Sequence, residues 1–146
     1  MTRKAERDNI KRSNLTDHRH IHYYIAAAST TGLAGIIHLA LVVNAILHNV
    51  YTNTITLFLI GGIVQVFWIV PILKRWGRVW YSVGIAGTVV FIALWAITRM
   101  QGNPITHRAS RVGPIDIATE VVQLAFIGLC IVILAIENRR IRKEIM

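Results

Sequence analysis

The chain has 146 residues, of which 54% are hydrophobic and 16% are charged, and its formal net charge is +9 at pH 7. Its apolar residues form four blocks of about 20 residues, the length that crosses roughly 30 Å of hydrocarbon, which excludes a soluble globular domain. Most Lys and Arg residues lie at the ends of these blocks, as in membrane proteins, so the positive charge does not indicate a nucleic-acid partner.

The first 22 residues are polar and basic, too long and too mixed in charge for the start of a cleaved signal peptide. We expect a retained cytoplasmic segment, in the form of an amphipathic helix along the membrane surface. An all-α bundle of four transmembrane helices over residues 23–137 follows, and a basic tail ends the chain. The predicted spans are about 24–47, 54–73, 79–98 and 114–136, and the tail is 138–146.

The distribution of basic residues predicts the orientation of the bundle. Six Lys and Arg residues lie in the first 22 residues, three in the connection after the second span and four near the C-terminus. The remaining three, Arg99, Arg108 and Arg111, lie in the connection before the fourth span. Because basic residues accumulate on the cytoplasmic side, we predict a multi-pass protein of the cell membrane with both termini in the cytoplasm.

Small residues recur within the first and third spans, at Ala28, Gly32, Gly35, Gly84 and Gly87. Lipid provides no hydrophobic drive between helices, so small residues mark places where helices approach closely. We predict that these five residues lie at helix–helix contacts, within the bundle or against a partner. The single cysteine, Cys130, lies inside the fourth apolar block, and we interpret it as a small packing residue.

Polar side chains interrupt the spans from the midplane outward, and they predict a pocket in the outer half of the bundle. Ionisable groups at membrane depth usually face the bundle interior and pair with one another. We therefore expect Arg99 to pair with Glu120, beneath a cap formed by residues 101–113. A polar clamp that only fixes the register of the helices is the alternative. The predicted pocket residues are His38, Asn44, Gln65, Arg99, Asp116, Glu120 and Gln123.

A metal site is a further alternative, because His38, His48 and Glu120 are acceptable zinc or copper ligands by type. The two histidines are separated by roughly 15 Å along a helix, which argues against a shared coordination shell. The other spans contain no histidine for a bis-histidine haem. The sequence also lacks a phosphate-binding loop and the H-E-x-x-H and G-x-S-x-G motifs, so we predict no cofactor and no catalytic residue.

Four motifs together resemble a group of small four-helix membrane proteins of archaea and actinobacteria. They are Gly35-Ile-Ile-His38, Gly61-Gly-x-x-Gln65, Trp95-x-x-x-Arg99-x-x-Gly102-x-Pro104 and Asp116-x-x-x-Glu120. The resemblance implies the four-helix fold but no particular chemistry. The Ile- and Val-rich spans with basic ends are also similar in style to small accessory subunits of archaeal membrane oxidases such as ammonia monooxygenase.

Two classes of function follow as expectations. The first is an accessory or structural subunit that packs against larger membrane partners or further copies of itself, for example in a membrane oxidase or monooxygenase complex. The small size and the small-residue stripes favour this function. The second is an autonomous protein that binds or transports a small ligand, an ion or a metal in the polar pocket. Membrane lipid surrounds the bundle in either case.

Overall fold

The computed structural model describes residues 2–50, 52–105 and 112–145, with side chains from residue 20 onward except at 140 and 143–145. Its helices are α1 (Thr2–Leu47), α2 (Thr52–Leu73), α3 (Arg78–Thr98) and α4 (Pro114–Ile145). Each contains a segment long and apolar enough to cross a membrane, namely His20–Leu47, Thr52–Leu73, Arg78–Thr98 and Pro114–Arg139. The prediction of an all-α chain with four such helices is confirmed.

The N-terminal segment is not a separate element. Helix α1 runs without interruption over 46 residues, so residues 2–19 and the first span belong to one continuous helix. At 1.5 Å per residue this extension is roughly 27 Å long. A helix along the membrane surface would have to bend away from the first span, and the location of this extension at the membrane surface stays a prediction. The side chains of this extension, and residues Arg108 and Arg111, lie outside the described residues.

The four helices pack in a ring. Helix α1 packs most extensively on α2 and then on α4, whereas α3 packs mainly on α4 and touches α2 least. Helices α1 and α3 face each other diagonally without close approach of their described backbones, and side chains such as the Tyr24 and Tyr81 rings, 6.1 Å apart between centres, meet between them. Both chain ends lie at one end of this ring because the four helices alternate in direction. We call the half of the bundle near the termini the terminal half, and the half near residues 47, 52, 98 and 114 the distal half.

Small residues bring α1 and α2 into backbone contact. A Cβ atom built on Gly35 would lie 3.0 Å from the backbone oxygen of Gly62, and one on Gly62 would lie 3.1 Å from the oxygen of Gly35. On α3, a Cβ atom on Gly84 would overlap the Trp68 indole, whereas one on Gly87 would meet nothing within 4 Å. The predicted contact positions that lie at helix interfaces are Ala28, Gly32, Gly35 and Gly84. Gly87 makes no such contact among the described residues. Its predicted contact with a partner protein stays a prediction.

The end of α2 joins several elements in the terminal half. The Trp76 amide donates to the Pro71 carbonyl at 3.1 Å, and Arg75 adopts a left-handed conformation with φ of 51°. This pattern is a Schellman motif. The Arg75 guanidinium lies over the Tyr24 ring at 4.7 Å, and the Tyr24 hydroxyl donates to Glu137 Oε1 at 3.1 Å. The turn therefore ties α2 to α1 and, through α1, to α4.

The apolar core also occupies the terminal half. It draws on all four helices, and Cys130 is completely buried in it, as its interpretation as a packing residue predicts. Its members are Tyr24, Ala27, Ala28, Ile72, Tyr81, Phe126, Cys130 and Ile133. Because these side chains fill the terminal half, any internal space must lie on the distal side.

Candidate ligand-binding cavity

A cavity lies in the distal half, between all four helices. Its volume is about 80 Å³. Since one water needs at least about 10–15 Å³, the space suits roughly five waters or one small molecule. The lining residues are His38 and Leu41 of α1, Thr54, Leu57 and Phe58 of α2, Phe91, Leu94, Trp95 and Thr98 of α3, Arg99 after it, and Asp116, Thr119, Glu120 and Gln123 of α4.

The structure places five of the seven predicted pocket residues around this distal cavity, namely His38, Arg99, Asp116, Glu120 and Gln123. Gln65 is 4% exposed, but its side chain lies against His38 outside the cavity lining. Asn44 is exposed and does not line the cavity, so its assignment to the pocket is wrong. The cavity therefore collects the ionisable members of the predicted set and excludes two of its three amides, Asn44 and Gln65.

Arg99 pairs with Asp116 rather than with Glu120. One Arg99 terminal nitrogen lies 2.8 Å from Asp116 Oδ1, and both side chains are about one-fifth exposed. Asp116 belongs to the first turn of α4, level with Arg99 just after α3, whereas Glu120 lies about 6 Å deeper along α4. The Gly113 amide also donates to Asp116 Oδ2 at 2.7 Å and fixes this carboxylate. The predicted Arg99–Glu120 ion pair is thus corrected.

Several polar atoms around the cavity have no hydrogen-bond partner among the described residues. Two are donors, Arg99 Nε and Trp95 Nε1, and two are acceptors, Glu120 Oε2 and Gln123 Oε1. All four atoms are buried, and Gln123 as a whole is only 2% exposed. Buried polar groups in folded proteins are nearly always paired with protein atoms or ordered water. Their concentration around one cavity indicates a space that suits polar occupants.

Aromatic rings form much of the remaining wall. The His38 ring lies 5.9 Å from the Phe58 ring and 6.3 Å from the Phe91 ring, between ring centres. The Arg99 guanidinium lies over the Trp95 ring at 5.1 Å. These aromatic residues were not predicted as part of the pocket, because aromatic side chains in a span usually indicate lipid contact or packing. The signal was present in the spacing, since Phe91, Trp95 and Arg99 recur every four residues on one face.

The three candidate metal ligands are not brought together. His38 and Glu120 line the cavity, but His48 does not, and it is exposed. Each histidine donates its Nδ1 hydrogen to a carbonyl one turn earlier, His38 to Ala34 at 2.8 Å and His48 to Asn44 at 2.9 Å. Within residues 2–50, 52–105 and 112–145, no group of three His, Cys, Asp or Glu residues is arranged to hold a metal ion.

The connection after α3 is described only in part. Asn103 is 3% exposed, and its side-chain amide donates to the Met100 carbonyl at 2.9 Å. The Asn53 side chain donates to the Ile105 carbonyl at 3.4 Å, which brings this connection to the start of α2. Residues 106–111 lie outside the described residues. The predicted cap over residues 101–113 is therefore folded against α3 and α2 as far as residue 105.

The fold and the cavity define a class, a multi-pass helical membrane protein with a partly polar internal space. No protein-family model, no curated protein and no solved structure matches the chain.

Proposed function

We propose that the chain binds a small polar molecule in the distal cavity of a bundle that spans the cell membrane with both termini in the cytoplasm. The observation that carries this proposal is the set of buried donors and acceptors that lack partners in the described part of the chain. Leaving such a group unsatisfied costs on the order of 1–3 kcal/mol. A polar occupant that pairs with several of them recovers much of this free energy.

A purely structural clamp explains only part of the site. Such a clamp would satisfy its own polar groups, as Arg99 and Asp116 do at 2.8 Å. The Glu120 and Gln123 oxygens are buried beside this pair without a bond in the described structure, so they add nothing to such a clamp. These two residues favour binding over register fixation.

Native mass spectrometry of the protein purified from its own membrane tests this proposal. We expect a small bound mass on the wild-type chain and its loss in Thr54→Phe, because Thr54 is half-buried and lines the cavity. Thr56→Phe is the matched control, since Thr56 is exposed and outside the lining. A wild-type chain without bound mass, or a Thr54→Phe chain that retains it, would contradict the proposal.

An accessory subunit is the second candidate, and the thin packing of α3 favours it. Helix α3 contacts α2 little. Gly87 leaves open space where a Cβ atom would lie, so the outer face of α3 offers a notch for another helix. The partner would be a larger membrane subunit, of which those of a membrane oxidase or monooxygenase are one case, or a second copy of this chain.

Native gel electrophoresis in mild detergent tests the accessory function. We expect wild-type chain in a larger complex and Gly87→Leu in a smaller species. Val90→Leu is the control, since Val90 lies on the same helix and is 56% exposed. A monomeric wild-type chain would exclude the accessory function and leave the binding proposal unaffected.

A further inference from the structure

The positive and negative charges of the ionisable side chains around the distal cavity do not cancel. Arg99 is neutralised by Asp116 at 2.8 Å. Glu120 lines the same cavity and has no ion pair within the described part of the chain. His38 is the remaining ionisable lining residue, and in its neutral form it adds no charge. With Glu120 ionised, the cavity carries one net negative charge, and a carboxylate at membrane depth requires a positive partner.

Two hydrogen-bond acceptors at the cavity can bind such a positive partner. Glu120 Oε2 and Gln123 Oε1 are both buried and have no hydrogen-bond donor among the described residues. The two residues are three positions apart on α4, so their side chains are neighbours on one helix face. A group that carries at least two N–H donors and a positive charge can bond to both oxygens at once.

The aromatic wall suits a cation with an apolar part. Phe58 and Phe91 line the cavity along with Trp95. Ring faces attract cations, most strongly where water is excluded. The Trp95 face already carries the Arg99 guanidinium at 5.1 Å, so Phe58 and Phe91 are the other aromatic lining residues that a ligand can contact.

The volume limits the ligand to a few atoms. The cavity offers about 80 Å³, roughly half of the 150 Å³ that holds benzene in an engineered protein cavity. By that comparison a ligand has roughly three non-hydrogen atoms.

We propose that the distal cavity binds a small organic ammonium ion, with its N–H groups on Glu120 and Gln123 and its carbon atoms against Phe58 and Phe91. This inference rests on the proposed binding function and names its ligand class. Two sources present this chemistry, a free short alkylamine and the headgroup of an ethanolamine phospholipid.

Saturation-transfer NMR on the full chain in maltoside micelles at pH 7 tests the proposal. The probes are ethylammonium, ethanol as a neutral molecule of similar size, and acetate as an anion. We expect ethylammonium to bind about tenfold more tightly than ethanol, and acetate not to bind. Glu120→Gln should weaken ethylammonium about tenfold and leave ethanol unchanged. Glu137→Gln is the matched control, since Glu137 is on the same helix outside the cavity.

Two further measurements separate the effect of charge from that of folding and identify the source of the ligand. Glu120→Asp keeps the charge and should retain the preference for ethylammonium over ethanol, which decides the matter even where Glu120→Gln fails to fold. Added ethanolamine phospholipid should displace ethylammonium if the headgroup is the natural occupant, and should leave it bound if a free amine is.

The outcomes distinguish the two proposals. Ethanol or acetate binding as tightly as ethylammonium, and lost in Thr54→Phe, would overturn the ammonium assignment and keep the small-molecule function. An equal ethylammonium affinity in wild type and a folded Glu120→Gln would do the same. If no probe binds and no bound mass co-purifies with the wild-type chain, both proposals are wrong.

Discussion

Asp116 holds two groups at the distal end of the bundle, the Arg99 guanidinium at 2.8 Å and the Gly113 amide at 2.7 Å. Replacing Asp116 with Asn leaves the partly buried guanidinium without its counter-charge. We expect Asp116→Asn to lower the free energy of unfolding by about 1–3 kcal/mol, measured by thermal or denaturant unfolding in detergent. The double variant with Arg99→Met should lose less than the sum of the two single losses, because it strands no charge. Additive losses would show that the pair does not form.

Glu120 lies one helical turn after Asp116 on α4, and its carboxylate can likewise be replaced by an amide. It has no ion pair or side-chain hydrogen bond in the described structure, so Glu120→Gln removes a buried charge and breaks no bond. In ligand-free protein we expect this variant to be as stable as wild type or more stable. The same unfolding experiment measures the effect. A loss as large as that of Asp116→Asn would mean that Glu120 is paired after all.

The residue types were sufficient to predict that a polar site exists, but not which side chains meet. Ionisable residues inside spans tend to share one place, and His38, Arg99, Asp116 and Glu120 do so. The partner of Arg99 depends on the relative heights of α3 and α4, which no local pattern encodes. The position of Asn44 outside the cavity was predictable, since it follows His38 by six residues and therefore lies about 120° around α1 from it.

At the level of the helices, the contact between Gly35 and Gly62 allows a sharp comparison. A Cβ atom on Gly35 would lie 2.7 Å from a Val66 methyl group and 3.0 Å from backbone atoms of α2. Gly35→Ala must therefore separate α1 from α2, and we expect a loss of about 1–3 kcal/mol in the free energy of unfolding, measured in detergent.

Gly128→Ala is the control for this comparison, because a Cβ atom there meets nothing within 4 Å. We expect this variant to be neutral or slightly stabilising, since alanine favours helix more than glycine does. Equal behaviour of the two variants would indicate that the α1–α2 contact contributes nothing to stability.

The positions of the helices along the sequence were largely predictable, whereas the neighbour against which each helix packs was not. Apolar length determines four spans because hydrocarbon thickness fixes the number of residues required. Small-residue stripes indicate close approach but not which helix approaches, so the sequence did not separate Gly35, which meets α2, from Gly87, which meets open space. The continuity of α1 was also missed, because a change from basic to apolar composition does not require a break in helix.

For the whole molecule, the proposed orientation can be tested by cysteine labelling. Met100 is 64% exposed near the distal end, and Lys74 is exposed near the terminal end. We expect Met100→Cys to react with a membrane-impermeant maleimide in intact cells, and Lys74→Cys to react only after permeabilisation. The native Cys130 is completely buried and provides little background. The reverse labelling pattern would place both termini outside. Asn103 is unsuitable as a labelling site because it is 3% exposed.

The unequal filling of the two halves has a consequence for how the bundle fluctuates. Regions with few buried apolar contacts open locally at lower free energy than a packed core. Backbone amides of residues 91–99, which border the cavity, should therefore exchange their hydrogens for deuterium faster than those of residues 126–133 in the core. An occupant of the cavity would slow exchange in the first segment and leave the second nearly unchanged. We therefore expect the distal half to open at a lower free energy than the terminal half, which gives a small molecule a route into the cavity.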